Sequence, residues 1–345
     1  MMAEKTLNGE GGLTKMRGLI FGYSITRSIA VAAELGIADQ LAEGSQTPGE
    51  LARRCGVMER PLYRMLRALA GEGVFAESDD GRFALTPMAE LLRSDHPRSL
   101  RDWAIFMADL PHRASMEMLH SLKTGGSAFR KAFGLPLFDY LSANPGYGNM
   151  LFRAMSSISA ARTAGLLAAY DFSQVTRLVD VGGAHGSMCA AITKRYTSIR
   201  CTCFDLPSAE QGALKTFRDS GVANKCDFVG GDFFEDVPAD GDAYLLSTVL
   251  HDWGDGQCLQ ILSNCRRRIQ RQGKLLVVDI VLPAEKNVPD TYRNFLDLNV
   301  LTMGEGGMER TESEFRTLLA AAGFSLCRVI PTNAPQWVIE ALPSE

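Results

Sequence analysis

Short apolar runs alternate with segments of helical periodicity from Arg177 onward, and this alternation restricts the fold more than any other feature of the sequence. It is typical of βαβ units, in which helices cover both faces of a parallel sheet. The last two runs have too little chain between them for a parallel crossover, so we expect them to pair antiparallel at one side. The sequence therefore predicts a doubly wound, mostly parallel α/β sheet, with strands at residues 178–181, 199–204, 226–229, 243–249, 275–281, 324–330 and 336–340.

The first half of the chain instead predicts helices joined by short turns. Thr47 can cap a helix that ends at Gly56, and a second helix follows at residues 59–69. Two short strands then flank a turn at residues 78–81. Together these segments predict a helix-turn-helix with a β-wing.

A chain of 345 residues is long for a single hydrophobic core, so we expect two domains, residues 1–170 and 171–345. Near the N-terminus, residues 19–35 have helical periodicity but more apolar side chains than one core-facing stripe needs. Surplus apolar surface of this kind needs a partner. We therefore predict that the first domain makes a homodimer.

Charge and cysteine content limit the partners and the compartment. The chain has 36 basic and 40 acidic side chains, a net charge of −4, and residues 1–160 alone have 18 and 17. Although a winged helix often binds DNA, so balanced a surface has no overall field for nucleic acid or an anionic membrane. No apolar run approaches the roughly 18 residues that span a bilayer. Eight scattered cysteines without a C-x-x-C pair favour reduced thiols rather than zinc or disulfides, so we expect a cytoplasmic protein with a small-molecule ligand.

The strongest local motif follows the first strand of the sheet, where Asp180 precedes a glycine-rich turn and a helix. Gly182, Gly183 and Gly186 allow the backbone to approach a ligand, and the carboxylate can hold a positively charged group. Val181 stands where a dinucleotide fingerprint would need its first glycine, so a nicotinamide site is the weaker interpretation. An ordinary tight turn is the other alternative that this motif leaves open.

Acidic residues also end the next two strands. Asp205, followed by Leu206, can accept both hydrogen bonds of a ribose diol. Gly231, Asp232 and Phe233 offer a carboxylate for an adenine amino group and an aromatic ring for its face. Because ligands of open α/β sheets bind along the carboxyl edge, three acids at successive strand ends predict a site for adenosine with a charged tail.

His251 follows the fourth strand at the same edge, and two acids could hold its ring: Asp279, at the end of the fifth strand, and Glu309. A histidine that removes a proton needs such a partner to fix its tautomer and to stabilise the imidazolium. The acceptor of this chemistry could be a phenol, whose pKa is near 10 against about 6.5 for imidazole. Proton transfer before the reaction would then be unfavourable by about 5 kcal/mol, so we expect it to accompany the reaction.

The sequence resembles the plant-type, caffeate- and hydroxyindole-like small-molecule O-methyltransferases of the class I S-adenosylmethionine-dependent superfamily, including bacterial relatives of secondary metabolism. The resemblance covers nearly the whole chain. It implies a Rossmann-like catalytic domain, a winged-helix dimerisation domain, S-adenosylmethionine as cofactor and a hydroxyl of a small aromatic molecule as acceptor. The motifs that carry it are Leu-Val-Asp-Val-Gly-Gly at 178–183, Phe-Asp-Leu-Pro at 204–207, Gly-Asp-Phe-Phe at 231–234, Leu-His-Asp-Trp at 250–253 and Gly-Gly-Met-Glu-Arg-Thr at 306–311.

By this resemblance His251 is the general base, flanked by Asp279 and Glu309. The chain departs from the family at Ala184, where glycine is usual, and a positive φ there would cost alanine about 1 kcal/mol. No metal is expected, because the acids at the strand ends are assigned to the cofactor. The cofactor residues implied are Asp180, Gly182, Gly183, Gly186, Asp205, Leu206, Gly231, Asp232, Phe233, Ser247 and Trp253. The substrate residues implied are Tyr147, Leu151, Met155, Asp252, Asn299 and Met303.

Three alternatives to O-methylation remain open at this point. The same cofactor could serve N-methylation, or it could assist decarboxylation or hydroxylation in a methyltransferase-like enzyme. The third is a winged-helix DNA-binding regulator. A base flanked by two acids favours O-methylation, because a sulfonium that acts only as a charge needs no base.

Overall fold

The predicted elements can be compared with a computed structural model that describes residues 10–284 and 290–344. The described chain forms two compact units. One contains the residues up to Arg113 together with Leu141–Ala160, and the other contains Ala114–Tyr140 and the chain from Ala161 onward. These units are not separated at the single boundary near residue 170, so two domains at 1–170 and 171–345 stay a prediction.

Residues 10–170 are mainly helical, and the turns between the helices are short. Their helices and strands are α1 (Glu10–Ile20), α2 (Gly22–Glu34), α3 (Ile37–Leu41), α4 (Pro48–Cys55), α5 (Glu59–Gly71), β1 (Phe75–Glu77), β2 (Phe83–Leu85), α6 (Pro87–Glu90), α7 (Arg101–Met107), α8 (Leu110–Ser115), α9 (Met118–Thr124), α10 (Ala128–Phe133), α11 (Leu137–Ala143) and α12 (Pro145–Ala169). The predicted winged-helix elements are confirmed.

A reciprocal cap stabilises α4, the first helix of the predicted winged-helix unit. The Thr47 hydroxyl accepts from the Glu50 backbone N–H, the Glu50 carboxylate accepts from the Thr47 N–H, and Gly56 ends α4 in the left-handed conformation. β1 and β2 pair antiparallel as the wing. The single apolar helix expected at residues 19–35 is wrong in one respect, because the helix is interrupted at Phe21. Gly22, a weak helix former, begins the second segment.

The second half of the chain builds the sheet. Its elements are β3 (Arg177–Val181), α13 (Ser187–Arg195), β4 (Arg200–Asp205), α14 (Glu210–Asp219), β5 (Cys226–Gly230), β6 (Ala243–Ser247), α15 (Asp255–Arg268), β7 (Lys274–Leu282), α16 (Thr291–Met303), β8 (Arg310–Thr311), α17 (Glu312–Ala321), β9 (Phe324–Ile330) and β10 (Gln336–Pro343). The strand order is β5-β4-β3-β6-β7-β10-β9, with the short β8 beside β7. β10 pairs antiparallel with both β7 and β9, and all other pairs of this sheet are parallel, so the predicted fold class is confirmed.

Both faces of the sheet are buried, which explains the continuous apolar runs. On β7, Leu275 and Val277 join one hydrophobic cluster, while Leu276 and Val278 join the cluster on the opposite face. This is the alternation that a strand requires. β6 ends at Ser247 rather than at the predicted residue 249, because Thr248 has a φ of +53° and turns the chain.

Cysteine pairing differs from the prediction. Cys189 on α13 and Cys201 on β4 form a disulfide, whereas the six other cysteines are free. The expectation of eight reduced thiols is therefore wrong for this pair, because packing of the helix after β3 against β4 brings together residues that no spacing motif links. Among the described residues, no helix has both the length and the apolar character to cross a membrane.

Candidate active site

The carboxyl ends of the parallel strands place most of the expected site residues along one edge of the sheet. The glycine-rich turn follows β3, Asp205 ends β4, Asp232 follows β5 and Ser247 ends β6. Asp279 is the exception to the prediction of strand ends, because β7 continues to Leu282 and Asp279 lies inside it, opposite Trp337 of β10. This edge is where open α/β sheets bind their ligands.

The turn after β3 is formed by close packing that excludes side chains. A Cβ at Gly182, whose φ is +74°, would lie 2.7 Å from Val249 Cγ2, and a Cβ at Gly183 would lie 2.8 Å from Asp180 Oδ2. Glycine is therefore required at both positions, because any side chain would clash with these packed neighbours. Gly186, also at positive φ, begins α13 against the ring of Phe217.

Ala184 has a φ of +46°, so the strain that the sequence predicts for a positive φ is present. Its backbone N–H donates to Asp205 Oδ2 at 2.7 Å, and the N–H of Leu206 donates to Oδ1 of the same carboxylate at 2.7 Å. Asp205 thus holds the strained turn in place. Its oxygens still have lone pairs for further donors, as a ribose diol requires.

Asp180 is buried beneath this turn. Burial raises the pKa of Asp180 to about 7, while the positive charge of Arg162 opposes that rise. Sequence reasoning missed Arg162, although it is the lone charged residue between Arg153 and Asp171 in an otherwise apolar helical segment. A buried carboxylate of this kind can stabilise a cationic group that reaches it.

An aromatic cluster lies further along the edge. The rings of Phe234 and Trp253 meet edge to face at 4.8 Å between centroids, and Phe233 contacts Phe234 in the same way at 4.9 Å. The Asp232 carboxylate accepts from the Phe234 N–H at 2.8 Å and orders the loop. Leu206 leaves 55% of its surface exposed. The cluster and the exposed leucine offer apolar faces of the kind that a flat heterocyclic base packs against.

His251 is held by Glu309. Its Nδ1 lies 2.9 Å from Glu309 Oε1. Because a carboxylate accepts hydrogen bonds, we assign the proton to Nδ1, and Nε2 is the second nitrogen, 3.6 Å from Asp252 Oδ1. Glu309 is buried, with 4% of its surface exposed, and its backbone N–H donates to Asp297 Oδ1 at 2.9 Å. Asp297 on α16 was not identified from the sequence.

The charges around His251 change its basicity. Burial alone would lower the pKa of the imidazole, but the negative charges of Asp252, Glu309 and Asp279 outweigh burial and raise it to about 10. The predicted energy of proton transfer from a phenol assumed an unperturbed imidazole and did not include these charges. The three acids could not be counted from spacing, because they come from three separate segments of the chain.

Asp279 acts on His251 through charge and not through a hydrogen bond. It is completely buried, and neither of its carboxylate oxygens has a hydrogen-bond partner within residues 10–284 and 290–344. Burial raises the pKa of Asp279 to about 7. The Ser247 hydroxyl at the end of β6 is also buried without a partner in the described chain. Buried polar atoms of this kind are suited to meet a bound ligand.

The expected substrate residues are divided between the two compact units. Tyr147, Leu151 and Met155 lie along α12 in the first unit, and each is partly or fully exposed. In the second unit, Asn299 is half-buried on α16, Met303 is buried at its end, and Asp252 follows His251. No cluster of three or more metal-ligating side chains occurs among the described residues.

Comparison with known proteins identifies the family. The O-methyltransferase domain matches residues 116–325, and the O-methyltransferase dimerisation domain matches residues 18–95. The chain belongs to the O-methyltransferase family. It is an S-adenosylmethionine-dependent O-methyltransferase, as the resemblance implied.

Named relatives and solved structures match this chain over almost its full length. Phenazine O-methyltransferase PhzM of Lysobacter antibioticus is 42% identical, and the match covers 94% of each chain. NcsB1 from neocarzinostatin biosynthesis, solved with S-adenosylmethionine and 2-hydroxy-5-methyl naphthoic acid, is 30% identical with a TM-score of 0.79, covering 92% of this chain and 95% of that one. RosA, the N,N-8-amino-8-demethyl-D-riboflavin dimethyltransferase of Streptomyces davawensis, is 29% identical with a TM-score of 0.77, covering 96% and 99%.

Ala184→Gly should stabilise this O-methyltransferase by about 1 kcal/mol, because glycine adopts the positive φ without strain. Thermal unfolding with and without S-adenosylmethionine measures the effect. The matched control is Ala190→Gly inside α13, which should lower the free energy of unfolding by about 0.5–1 kcal/mol. A loss of stability in both variants would contradict the strain at Ala184.

Proposed function

We propose that this enzyme transfers a methyl group from S-adenosylmethionine to a hydroxyl of a small aromatic molecule, with Nε2 of His251 as the proton acceptor. The observation that supports the proposal most directly is the 2.9 Å contact between His251 Nδ1 and Glu309, which makes Nε2 the nitrogen that can accept a proton when the ring is neutral. Phenazine and naphthoic acid in the names of the relatives support an aromatic acceptor. Six free thiols among eight cysteines are in keeping with a cytoplasmic enzyme.

The proposed methyl transfer is a single displacement. The bound cofactor supplies an electrophilic methyl group on a sulfonium. The acceptor oxygen would take that methyl group, leaving a neutral thioether, and the hydroxyl proton would go to His251 Nε2. The imidazolium that results is stabilised by Glu309 through the hydrogen bond and by Asp279 through its charge.

The raised pKa of His251 supports its proposed role as proton acceptor. A phenol has a pKa of about 10, so acidic neighbours that raise the pKa of the imidazole lower the cost of accepting the phenol's proton. The same shift keeps the ring protonated at neutral pH until a positive charge at this edge opposes it. Binding of the sulfonium therefore prepares the base, and the rate should rise as the pH increases.

Our proposal assigns the cofactor to the turn after β3 and the strand ends beside it. Asp180 would hold the amino group of the methionine part, Asp205 the ribose and Asp232 the adenine amino group, with Phe233 and Trp253 beside the base. The buried Ser247 hydroxyl, which has no partner among the described residues, supports this fit. We also propose that Asp252, Asn299 and Met303 contact the acceptor. Tyr147, Leu151 and Met155 stay predicted substrate residues.

A second candidate, N-methylation of an aromatic amine, is favoured by the likeness to RosA. An aromatic amine loses its proton readily once it has been methylated, so it needs a strong base less than a phenol does. Matched phenol and aniline acceptors, assayed by mass spectrometry with labelled S-adenosylmethionine, separate the two candidates.

We further propose that the enzyme is a homodimer, and that dimerisation covers an exposed apolar face near the N-terminus. Leu19, Ile20 and Tyr23 are 66%, 64% and 58% exposed. Apolar side chains clustered in this way are typical of an interface.

Light scattering at micromolar concentration should therefore give the mass of a dimer. Leu19→Asp with Ile20→Asp should produce monomer or aggregate, because the face can no longer pack against a partner. Leu214→Asp, at an exposed leucine of α14, is the control and should remain dimeric. A monomeric wild-type protein would rule out the proposed assembly.

Asp205→Ala should weaken S-adenosylmethionine binding by roughly 1.5–3 kcal/mol, the range for lost hydrogen bonds to a charged acceptor. Calorimetry measures the change. Asp242→Ala is the matched control, because Asp242 also accepts backbone N–H groups, at Thr176 and Arg177, but at the start of β3. Equal affinities in wild type and Asp205→Ala would mean that the ribose binds elsewhere.

His251→Ala should lower kcat by about 10²–10⁴ and leave cofactor affinity nearly intact, as loss of a positioned base does. Steady-state kinetics and calorimetry separate these effects, and His96→Ala is the control for a histidine of the other compact unit. Higher pH should restore part of the mutant rate, and acidic nitrophenol-like acceptors should lose least, because they arrive ionised. A wild-type rate in His251→Ala at neutral pH would remove the base from the mechanism.

A further inference from the structure

Arg310 is the largest fully buried side chain described in the chain, with 1% of its surface exposed. Its guanidinium donates to the Leu250 carbonyl at 3.0 Å and to the Trp253 carbonyl at 3.0 Å. These carbonyls flank the short 3-10 turn that contains His251 and Asp252. One planar side chain therefore fixes both ends of that turn.

Two further contacts orient the guanidinium itself. Nη2 donates to Asp255 Oδ1 at 2.7 Å and Nε donates to the same oxygen at 3.1 Å. Asp255 is exposed and begins α15, so the ion pair also joins the turn to the helix that follows it. A lysine could not reproduce this set of bonds, because only the guanidinium presents several donors in a rigid plane.

The backbone around Arg310 lies directly against the same turn. A Cβ at Gly307 would lie 2.4 Å from the His251 carbonyl oxygen, which shows how closely the two segments approach. Isolated bridges also join Trp253 to Glu305 and Gly306. The segment that contains Glu309 and the turn that contains His251 are thus packed backbone to backbone.

Two hydrogen bonds join two pairs of residues that are neighbours in sequence. Glu309 and Arg310 are neighbours in sequence, as are Leu250 and His251. Glu309 bonds the His251 ring, while Arg310 bonds the Leu250 carbonyl. Weakening either of these two hydrogen bonds therefore changes the separation between the two segments that the other bond joins.

We propose that Arg310 is a positioning residue of the methyl transfer, which holds the His251 turn at the distance from Glu309 that the hydrogen bond to Nδ1 requires. The inference rests on the proposed function, because it acts through the base. It does not require Arg310 to touch the acceptor or the cofactor. Its loss should therefore lower kcat while the acceptor KM and the cofactor affinity change little.

The experiment compares Arg310→Lys in the wild-type enzyme and in His251→Ala. In wild type we expect kcat to fall about 10- to 100-fold, the loss that a misplacement of about 1 Å produces. In His251→Ala the same change should leave the residual rate unaltered, because no base remains to be positioned. A purely structural role would lower both rates by the same factor.

Arg266→Lys is the matched control, because Arg266 also donates to two backbone carbonyls, at Gly323 and Ser344, away from the carboxyl edge. It should lose thermal stability and keep kcat. If Arg310→Lys does not fold, Asp255→Asn replaces it, since this change removes only the ion pair and should lower kcat in wild type but not in His251→Ala. Equal losses in both backgrounds, or none in wild type, would overturn the role of Arg310. Full activity in His251→Ala alone would instead refute the proposed base.

Discussion

The hydrogen bond between His251 Nδ1 and Glu309 is the interaction on which the rest of the site depends. It decides which imidazole nitrogen carries a proton, and hence which nitrogen can receive one. The bond joins two segments 58 residues apart, so it exists only because the sheet brings the end of β6 and the start of β8 to the same edge. The glycine-rich turn after β3 lies at this edge because β3 is the neighbour of β6.

The acidic side chains around that bond have two opposing effects on His251. Asp279 and Asp252 concentrate negative charge near the ring and raise the pKa of His251 to about 10. Such a ring is a strong base but is also protonated at neutral pH, so the cluster is effective only when a positive charge arrives beside it. In our proposal the sulfonium of the cofactor supplies that charge, so acidic surroundings of His251 suit this cofactor.

Patterns along the chain could predict the sheet, its antiparallel end, the winged helix and the edge of the sheet where the site residues lie. Apolar periodicity and capping residues such as Thr47 are local, and local chemistry decides them. Contacts between distant segments were not predictable from spacing. The Cys189–Cys201 disulfide, the bond from Glu309 to Asp297 and the burial of Arg310 depend on how helices pack on the sheet. Arg162 did leave a trace in the sequence, as an isolated charge in an apolar helix, and the strain at Ala184 could be anticipated because glycine is usual there.

The most direct test is nitrogen NMR of histidine-labelled enzyme, titrated with and without S-adenosylhomocysteine or S-adenosylmethionine, with His251→Ala used to assign the resonance. Our account predicts that His251 titrates well above the ordinary value of about 6.5, that its neutral form has the proton on Nδ1, and that the positively charged cofactor lowers its pKa more than the neutral product does. A pKa at or below the ordinary value, or a neutral ring with the proton on Nε2, would contradict it.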